Sequence, residues 1–151
     1  MKIYFASDHA GFELRHKLIP FAESLGYETE DKGDFVNNPE DDYPDFIALA
    51  ASAVSKDKEA KGIILGGSGV GEAVVANRFP NVRAVAWYGE SMEIIKLSRE
   101  HNNANILSIG ARFVDEDKAK EAVKLWLETP FSGDERHVRR IKKMERIAYG
   151  R

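Results

Sequence analysis

The run Gly66-Gly67-Ser68-Gly69-Val70-Gly71-Glu72 brings four glycines, a hydroxyl and a carboxylate into seven residues. It follows the apolar stretch Gly62-Ile63-Ile64-Leu65 and precedes a helical pattern that reaches Asn77. Backbone amides without side-chain cover at a helix start suit an anion or a developing oxyanion. Two common nucleotide motifs fail here. A dinucleotide fingerprint starting at Gly67 needs Gly or Ala where Glu72 stands and normally follows the first strand, not the third. A P-loop starting at Gly66 has Gly71 in register but puts Glu72 in the lysine position and Ala73 in the Ser/Thr position. A carboxylate there repels a polyphosphate. Glu72 itself has two compatible readings. It is an acid in the first helical turn, at N3 if Gly69 is the N-cap, where the helix dipole favours it. It is also a base able to take a proton alpha to a carbonyl while the amides and Ser68 hold the enediolate oxygen.

Other candidates lie elsewhere in the chain. Asp8-His9 follows the first apolar run, with Asp8 either capping the helix that starts near Gly11 or contributing to a site, and His9 either a plain loop residue or a ligand. His101-Asn102 sits after a helix and just before a strand. That places it at the opposite edge of its own sheet, as a surface histidine or as part of a site completed by a second subunit. From Glu135 to Arg151 there are seven Lys or Arg against two acids, with Val138, Ile141, Met144 and Ala148 at helical spacing. Such a helix docks on its own domain or on a partner. Arg136 and Arg140, one turn apart, have the spacing to clamp a phosphate together with Arg112.

The elements that carry these residues alternate. Lys2–Ala6, Tyr27–Asp31, Gly62–Leu65, Arg83–Trp87 and Asn105–Gly110 read as strands, separated by helical patterns over Gly11–Leu25, the small apolar residues up to Ala53, the stretch to Asn77, Ser91–Arg99 and Glu116–Leu127. Pro20 suggests a kinked or divided first helix. A last basic helix spans about 135–148 after Pro130 and Gly133. Such alternation predicts a parallel sheet covered on both faces, with ligands outside the carboxyl ends of the strands at a topological switch point. The loop from Lys32 to Asp42 is polar.

With 151 residues, 43% hydrophobic and 31% charged, one domain over 1–151 is expected. No run approaches the roughly 18 apolar residues of a membrane span, and Met1–Ala6 leads straight into Ser7-Asp8-His9 without a signal-peptide core, so a cytoplasmic protein without membrane attachment is expected. The absence of cysteine excludes disulfides, thiolate catalysis and Cys-based metal sites. A net charge of −3 argues against a general nucleic-acid binder.

Taken together, Ser7-Asp8-His9-Ala10-Gly11, Asp42-Tyr43-Pro44, Gly66–Glu72, Ala76-Asn77-Arg78, His101-Asn102-Asn103-Ala104-Asn105, Gly110-Ala111-Arg112 and Arg136-His137 with Arg140 resemble the B-type ribose-5-phosphate isomerases and the related galactose-6-phosphate isomerase subunits over nearly the whole chain. The resemblance implies a three-layer αβα, Rossmann-like (flavodoxin-like) α/β fold, with a five-stranded parallel sheet and an extra C-terminal helix packing at a dimer interface. It implies a homodimer, with a tetramer left open, and aldose-ketose isomerisation through an enediolate without metal or cofactor. By position, Asp8 and His9 contact the sugar phosphate and Gly67, Ser68, Gly69, Val70 and Gly71 hold the enediolate oxygens. Asn102, Arg112, Arg136 and Arg140 bind substrate, chiefly its phosphate, His101 opens the furanose ring, and Tyr43 walls the pocket. Many members carry a cysteine base where this chain has Gly66. A second branch is similar to this chain in its Gly-Gly-Ser-Gly-x-Gly-Glu turn and uses the glutamate, so the base role passes to Glu72. The segment Gly133-Asp134-Glu135-Arg136 also departs from the family's Gly-Gly before Arg-His, placing acids beside the clamp.

Two rivals stand beside ribose 5-phosphate isomerisation: an isomerase of a hexose 6-phosphate or four-carbon ketose phosphate, and a non-catalytic sugar-phosphate sensor on the same scaffold. Glu72 with His101 argues against the sensor, since binding alone needs neither.

Overall fold

The computed structural model describes residues 1–148; Arg151, one of the basic residues counted above, lies outside them. Five strands, β1 (Lys2–Ser7), β2 (Glu28–Asp31), β3 (Lys61–Gly66), β4 (Ala84–Trp87) and β5 (Ile106–Gly110), alternate with α1 (Phe12–Ser24), α2 (Tyr43–Lys56), α3 (Val70–Ala76), α4 (Met92–Glu100) and α5 (Glu116–Glu128), and α6 (Glu135–Ala148) follows. All pairings are parallel. The layers are those expected, and the strand order is β2-β1-β3-β5-β4. The flavodoxin order 2-1-3-4-5 thus has its last two strands exchanged.

Burial on both faces explains why β3 and β5 are continuous apolar runs. On one face, Leu18 and Ala22 of α1, Ile95 of α4 and Ala119, Val123 and Trp126 of α5 pack on Ile3, Phe5, Ile63, Leu65, Leu107 and Ile109. On the other, Ile47, Ala50, Ala51 and Val54 of α2 and Ala76 of α3 cover Ala6, Ile64 and Ile106. α1 runs unbroken through Pro20. The ring removes one helical hydrogen bond, but the buried Leu18 and Ala22 on either side anchor both turns to the sheet.

Register fixes where loops emerge. Ser7 pairs with Leu65 and Gly66 with Gly110, so β1, β3 and β5 end at the same level. From β1 the chain goes outward to β2, whereas from β3 it continues toward β4 and β5 on the other side. The loops after β1 and β3 therefore diverge, and the gap between them is the switch point at which open α/β sheets take ligands.

Candidate active site

A cleft of about 480 Å³ opens at that switch point, lined by Asp8, His9, Tyr43, Gly67, Ser68, Gly71, Glu72 and Arg112, with Ala10 and Phe113 at its rim. Three strand ends thus deliver residues to one cavity: Asp8-His9 from β1, the glycine turn from β3 and Arg112 from β5.

The turn is held by β5. The amides of Ala111 and Arg112 donate to the carbonyls of Gly66 (2.8 Å) and Gly67 (3.1 Å), and the buried Ser108 hydroxyl donates to the Gly69 carbonyl at 2.6 Å. Gly69 is the N-cap of α3, at φ 77°, where a side chain is strained. A Cβ there would also sit 3.0 Å from the Ser108 carbonyl oxygen and the Gly110 nitrogen. Glu72 falls at the third helical position, as its spacing from Gly69 suggested. Val70, the first helical residue, is exposed, and its amide donates to the Ser68 hydroxyl at 3.2 Å. Neither Gly69 nor Val70 lines the cleft; Gly67, Ser68 and Gly71 do. Arg112 lies over Gly67, its Nη1 3.1 Å from where a Cβ would be, and the Tyr43 hydroxyl covers Gly71 at 2.6 Å from the corresponding point.

Glu72 is only 4% exposed. Its carboxyl is raised above the ordinary glutamate range, first by burial and further by the nearby charge of Asp8, while hydrogen bonds from the Glu72 and Gly69 amides pull the other way. Burial wins over the helix start, which leaves a carboxylate more basic than a solvated one. Its position is equally informative. A Cβ built on Gly66 would lie 1.8 Å from Glu72 Oε1 and 2.1 Å from its Cδ. The carboxylate occupies the volume that any side chain at position 66 needs.

Asp8 is buried, and its carboxylate accepts from the Ala10 amide at 3.0 Å, so it caps the single 3-10 turn His9–Gly11 as well as lining the cleft. His9 is held by a residue the sequence reading missed. Its Nδ1 lies 2.6 Å from Asp41 Oδ1, and its amide donates to the same carboxyl at 3.1 Å. The only signal for Asp41 was its place in a polar loop next to Asp42-Tyr43. Asp8, His9 and Asp41 offer donor atoms within 4.8 Å of one another, a spacing a cation could use. Nδ1 is engaged by Asp41, which leaves Nε2 as the ring nitrogen open to a ligand.

His101, Asn102, Arg136 and Arg140 do not line this cleft. His101 caps the end of α4 and stacks on His137, ring centroids 4.3 Å apart and planes at 17°. His137 is buried, and its nitrogens are held toward the neutral form by burial and by His101 and Arg136. Within this chain its ring packs on that of His101. The loop carrying Asn102 is tied down by Arg99, whose Nη1 donates to Asn103 Oδ1 (2.9 Å) and the Ala104 carbonyl (2.6 Å) and whose Nε donates to the Thr129 carbonyl (3.1 Å). Asn102 opens instead onto a groove of about 380 Å³ between β4 and α6, together with Met144 and Glu145. On α6, Val138 and Ile141 are half-buried while Met144 and Ile147 are exposed. No helix among the described residues is long and apolar enough to cross a membrane.

Residues 3–144 match the family model described as Ribose/Galactose Isomerase. The chain is 44% identical over 142 residues to ribose-5-phosphate isomerase B of Mycolicibacterium paratuberculosis, spanning 93% of this chain and 87% of that one. Among solved structures, ribose-5-phosphate isomerase B of Clostridium thermocellum superposes with a TM-score of 0.91 at 39% identity over 99% of both chains. The Mycoplasma genitalium enzyme with bound ribulose 5-phosphate superposes with a TM-score of 0.93 at 34% identity over 99% of this chain and 97% of that one.

Proposed function

The chain belongs to the ribose/galactose isomerase family, and from that premise we propose that it interconverts ribose 5-phosphate and ribulose 5-phosphate with Glu72 as the base. The observation that carries the assignment of the base is the Glu72 carboxylate lying in the space above Gly66, within a cleft whose other walls are the amide-rich turn and Arg112. In the open-chain aldose, Glu72 takes the proton from C2 while O1 gathers negative charge. The turn and the Ser68 hydroxyl hold that oxygen. Return of the proton from Glu72 to C1, with transfer of the hydroxyl hydrogen from O2 to O1, completes the ketose. A buried carboxylate with a raised affinity for protons is matched to this shuttle near neutral pH.

The reading requires a homodimer. Among the described residues Arg112 is the one arginine at the cleft, whereas Arg136, Arg140, His101 and Asn102 lie elsewhere on the same chain. A second copy brings them to the cleft, Arg136 and Arg140 closing the phosphate clamp and His101 opening the ring. The exposed Met144 and Ile147 on α6 support an interface along that helix.

The test is conversion of four-, five- and six-carbon aldose phosphates to ketoses, with and without chelator. Fastest turnover on ribose 5-phosphate, unchanged by chelator, is expected. Preference for a six-carbon phosphate overturns the substrate, and no turnover on any of them overturns the enzyme in favour of a sensor.

A further inference from the structure

We propose that His137 is a positioning residue: stacked on His101, it joins the end of α4 to the first turn of α6, so that the acid that opens the sugar ring and the arginines that hold its phosphate reach the cleft of a second copy as one preassembled half-site. The roles of His101, Arg136 and Arg140 rest on the isomerase reading; the joint between the two helices does not.

Within one chain α6 is held mainly at its start. Of its 14 residues His137 alone is buried, and Arg136 and Arg140 near it are exposed. Toward the other end, Glu145 meets Arg83 at 3.2 Å. The joint itself combines backbone and ring. His101 ends α4, its amide donating to the Leu97 carbonyl at 2.9 Å. The segment leading into α6 is laid against that end: the Ser132 amide donates to the Glu100 carbonyl at 3.2 Å, and Arg99 Nε donates to the Thr129 carbonyl at 3.1 Å. The His137 amide donates to the Asp134 carbonyl at 2.9 Å as the helix begins. Its ring then lies on that of His101, centroids 4.3 Å apart and planes at 17°. Two flat rings in near-parallel contact fix each other's tilt.

The chemistry of the pair fits a proton donor. His137 Nε2 is buried without a hydrogen-bond partner, so no polar contact at that nitrogen sets the ring's direction. An imidazole with an orphaned nitrogen is a costly choice for packing alone. As a neutral ring, however, it offers a π-face to a cation, and an imidazole that is to protonate the sugar's ring oxygen must first be an imidazolium. Burial first, then His101 and Arg136, with Arg140 adding less, hold His137 toward the neutral form against the pull of Asp134.

His137→Leu removes the flat ring, whereas His137→Phe keeps it. In the full-length enzyme the leucine variant should lower kcat/KM on ribose 5-phosphate by about tenfold or more, and phenylalanine should recover most of that loss. A folded leucine variant within about threefold of wild type, or a phenylalanine variant as impaired as the leucine one, overturns the proposal. Subunit exchange separates positioning from a general loss of fold. Mixed with Glu72→Gln protein, His137→Leu protein should regain about a quarter of wild-type activity, because the hybrid holds one cleft with both an intact Glu72 and an intact His137. Mixed with His101→Ala protein it should regain none, since both lesions lie in the same half-site. Recovery with His101→Ala and not with Glu72→Gln overturns the assignment. Proton NMR of the histidine-labelled protein, with His101 assigned through His101→Ala, reads the joint without turnover. The His101 ring protons should lie upfield of an unstacked histidine in wild type and in His137→Phe. Ring protons at the unstacked position in wild type overturn the proposal, whether or not His137→Leu folds. A wild-type protein without turnover refutes the isomerase reading and leaves this measurement intact.

Discussion

Replacing Gly66 with alanine drives a methyl carbon into the Glu72 carboxylate. The new Cβ would stand 1.8 Å from Oε1, 2.1 Å from Cδ and 2.7 Å from Oε2. Against a contact distance of about 3.5 Å, the carboxylate has to retreat by roughly 1.7 Å. It has to swing out of the space above Gly66 toward the cleft that it lines, while the helix turn that carries it stays pinned by Ser108. Misplacing a catalytic group by about 1 Å costs on the order of 100-fold in rate. Gly66→Ala is thus expected to lower kcat by about 100-fold or more, roughly 2.7 kcal/mol in activation free energy. KM should move by less than about threefold, since the substitution leaves Arg112 in place. Steady-state ketose formation reads both constants, and a thermal melt should show the overpacking as a loss of about 1–3 kcal/mol. The double variant sharpens the result: on a Glu72→Ala background the clash is gone, so adding Gly66→Ala should cost almost nothing further. A folded Gly66→Ala enzyme with kcat within about threefold of wild type refutes the claim that this carboxylate is the base held in that space.

The pH profile follows from the same burial. With Glu72 raised above the ordinary value of 4.5, the acid limb of kcat should fall through an apparent pKa higher than 4.5, and a limb at or below that value contradicts the account. The sign for stability is opposite to that of a salt-bridged acid. A carboxyl raised in the folded state favours folding while it is protonated in both states, and that contribution is lost as pH rises through its folded value. Glu72→Gln should therefore melt higher than wild type at neutral pH, with the advantage shrinking toward acid. Mixing Glu72→Gln with His101→Ala protein and letting subunits exchange should restore about a quarter of wild-type activity if each site draws on two chains; no recovery after demonstrated exchange contradicts the shared site. Arg112→Ala should raise KM for the phosphorylated substrate by about tenfold or more, through loss of a charge-assisted contact.

Much of this was legible in the chain because glycine spacing and hydrophobic period are local signals. The apolar runs of β3 and β5, the N3 position of Glu72 and the convergence of Asp8, Gly67 and Arg112 at one sheet end all follow from alternating elements. The exchange of β4 and β5 did not, because strand order depends on which helix crosses over which strand rather than on any local pattern. α1 is not divided at Pro20 for a related reason: tertiary burial of Leu18 and Ala22 outweighs the local helix-breaking tendency. Asp41 was invisible as the partner of His9, since a loop's acids look alike until the loop folds back onto it. His101-Asn102 was readable as displaced from the turn, whereas Arg136 and Arg140, expected to clamp a phosphate beside Arg112, do not line the cleft within one chain.

The central claim is that Glu72 moves the proton. Glu72→Gln keeps the shape of the side chain and removes the base. Turnover of ribose 5-phosphate should drop by about 10²–10⁴-fold, with loss of solvent deuterium incorporation at the transferred position, while calorimetric affinity for the sugar phosphate stays within about threefold. Near-normal turnover by a folded Glu72→Gln enzyme contradicts the account.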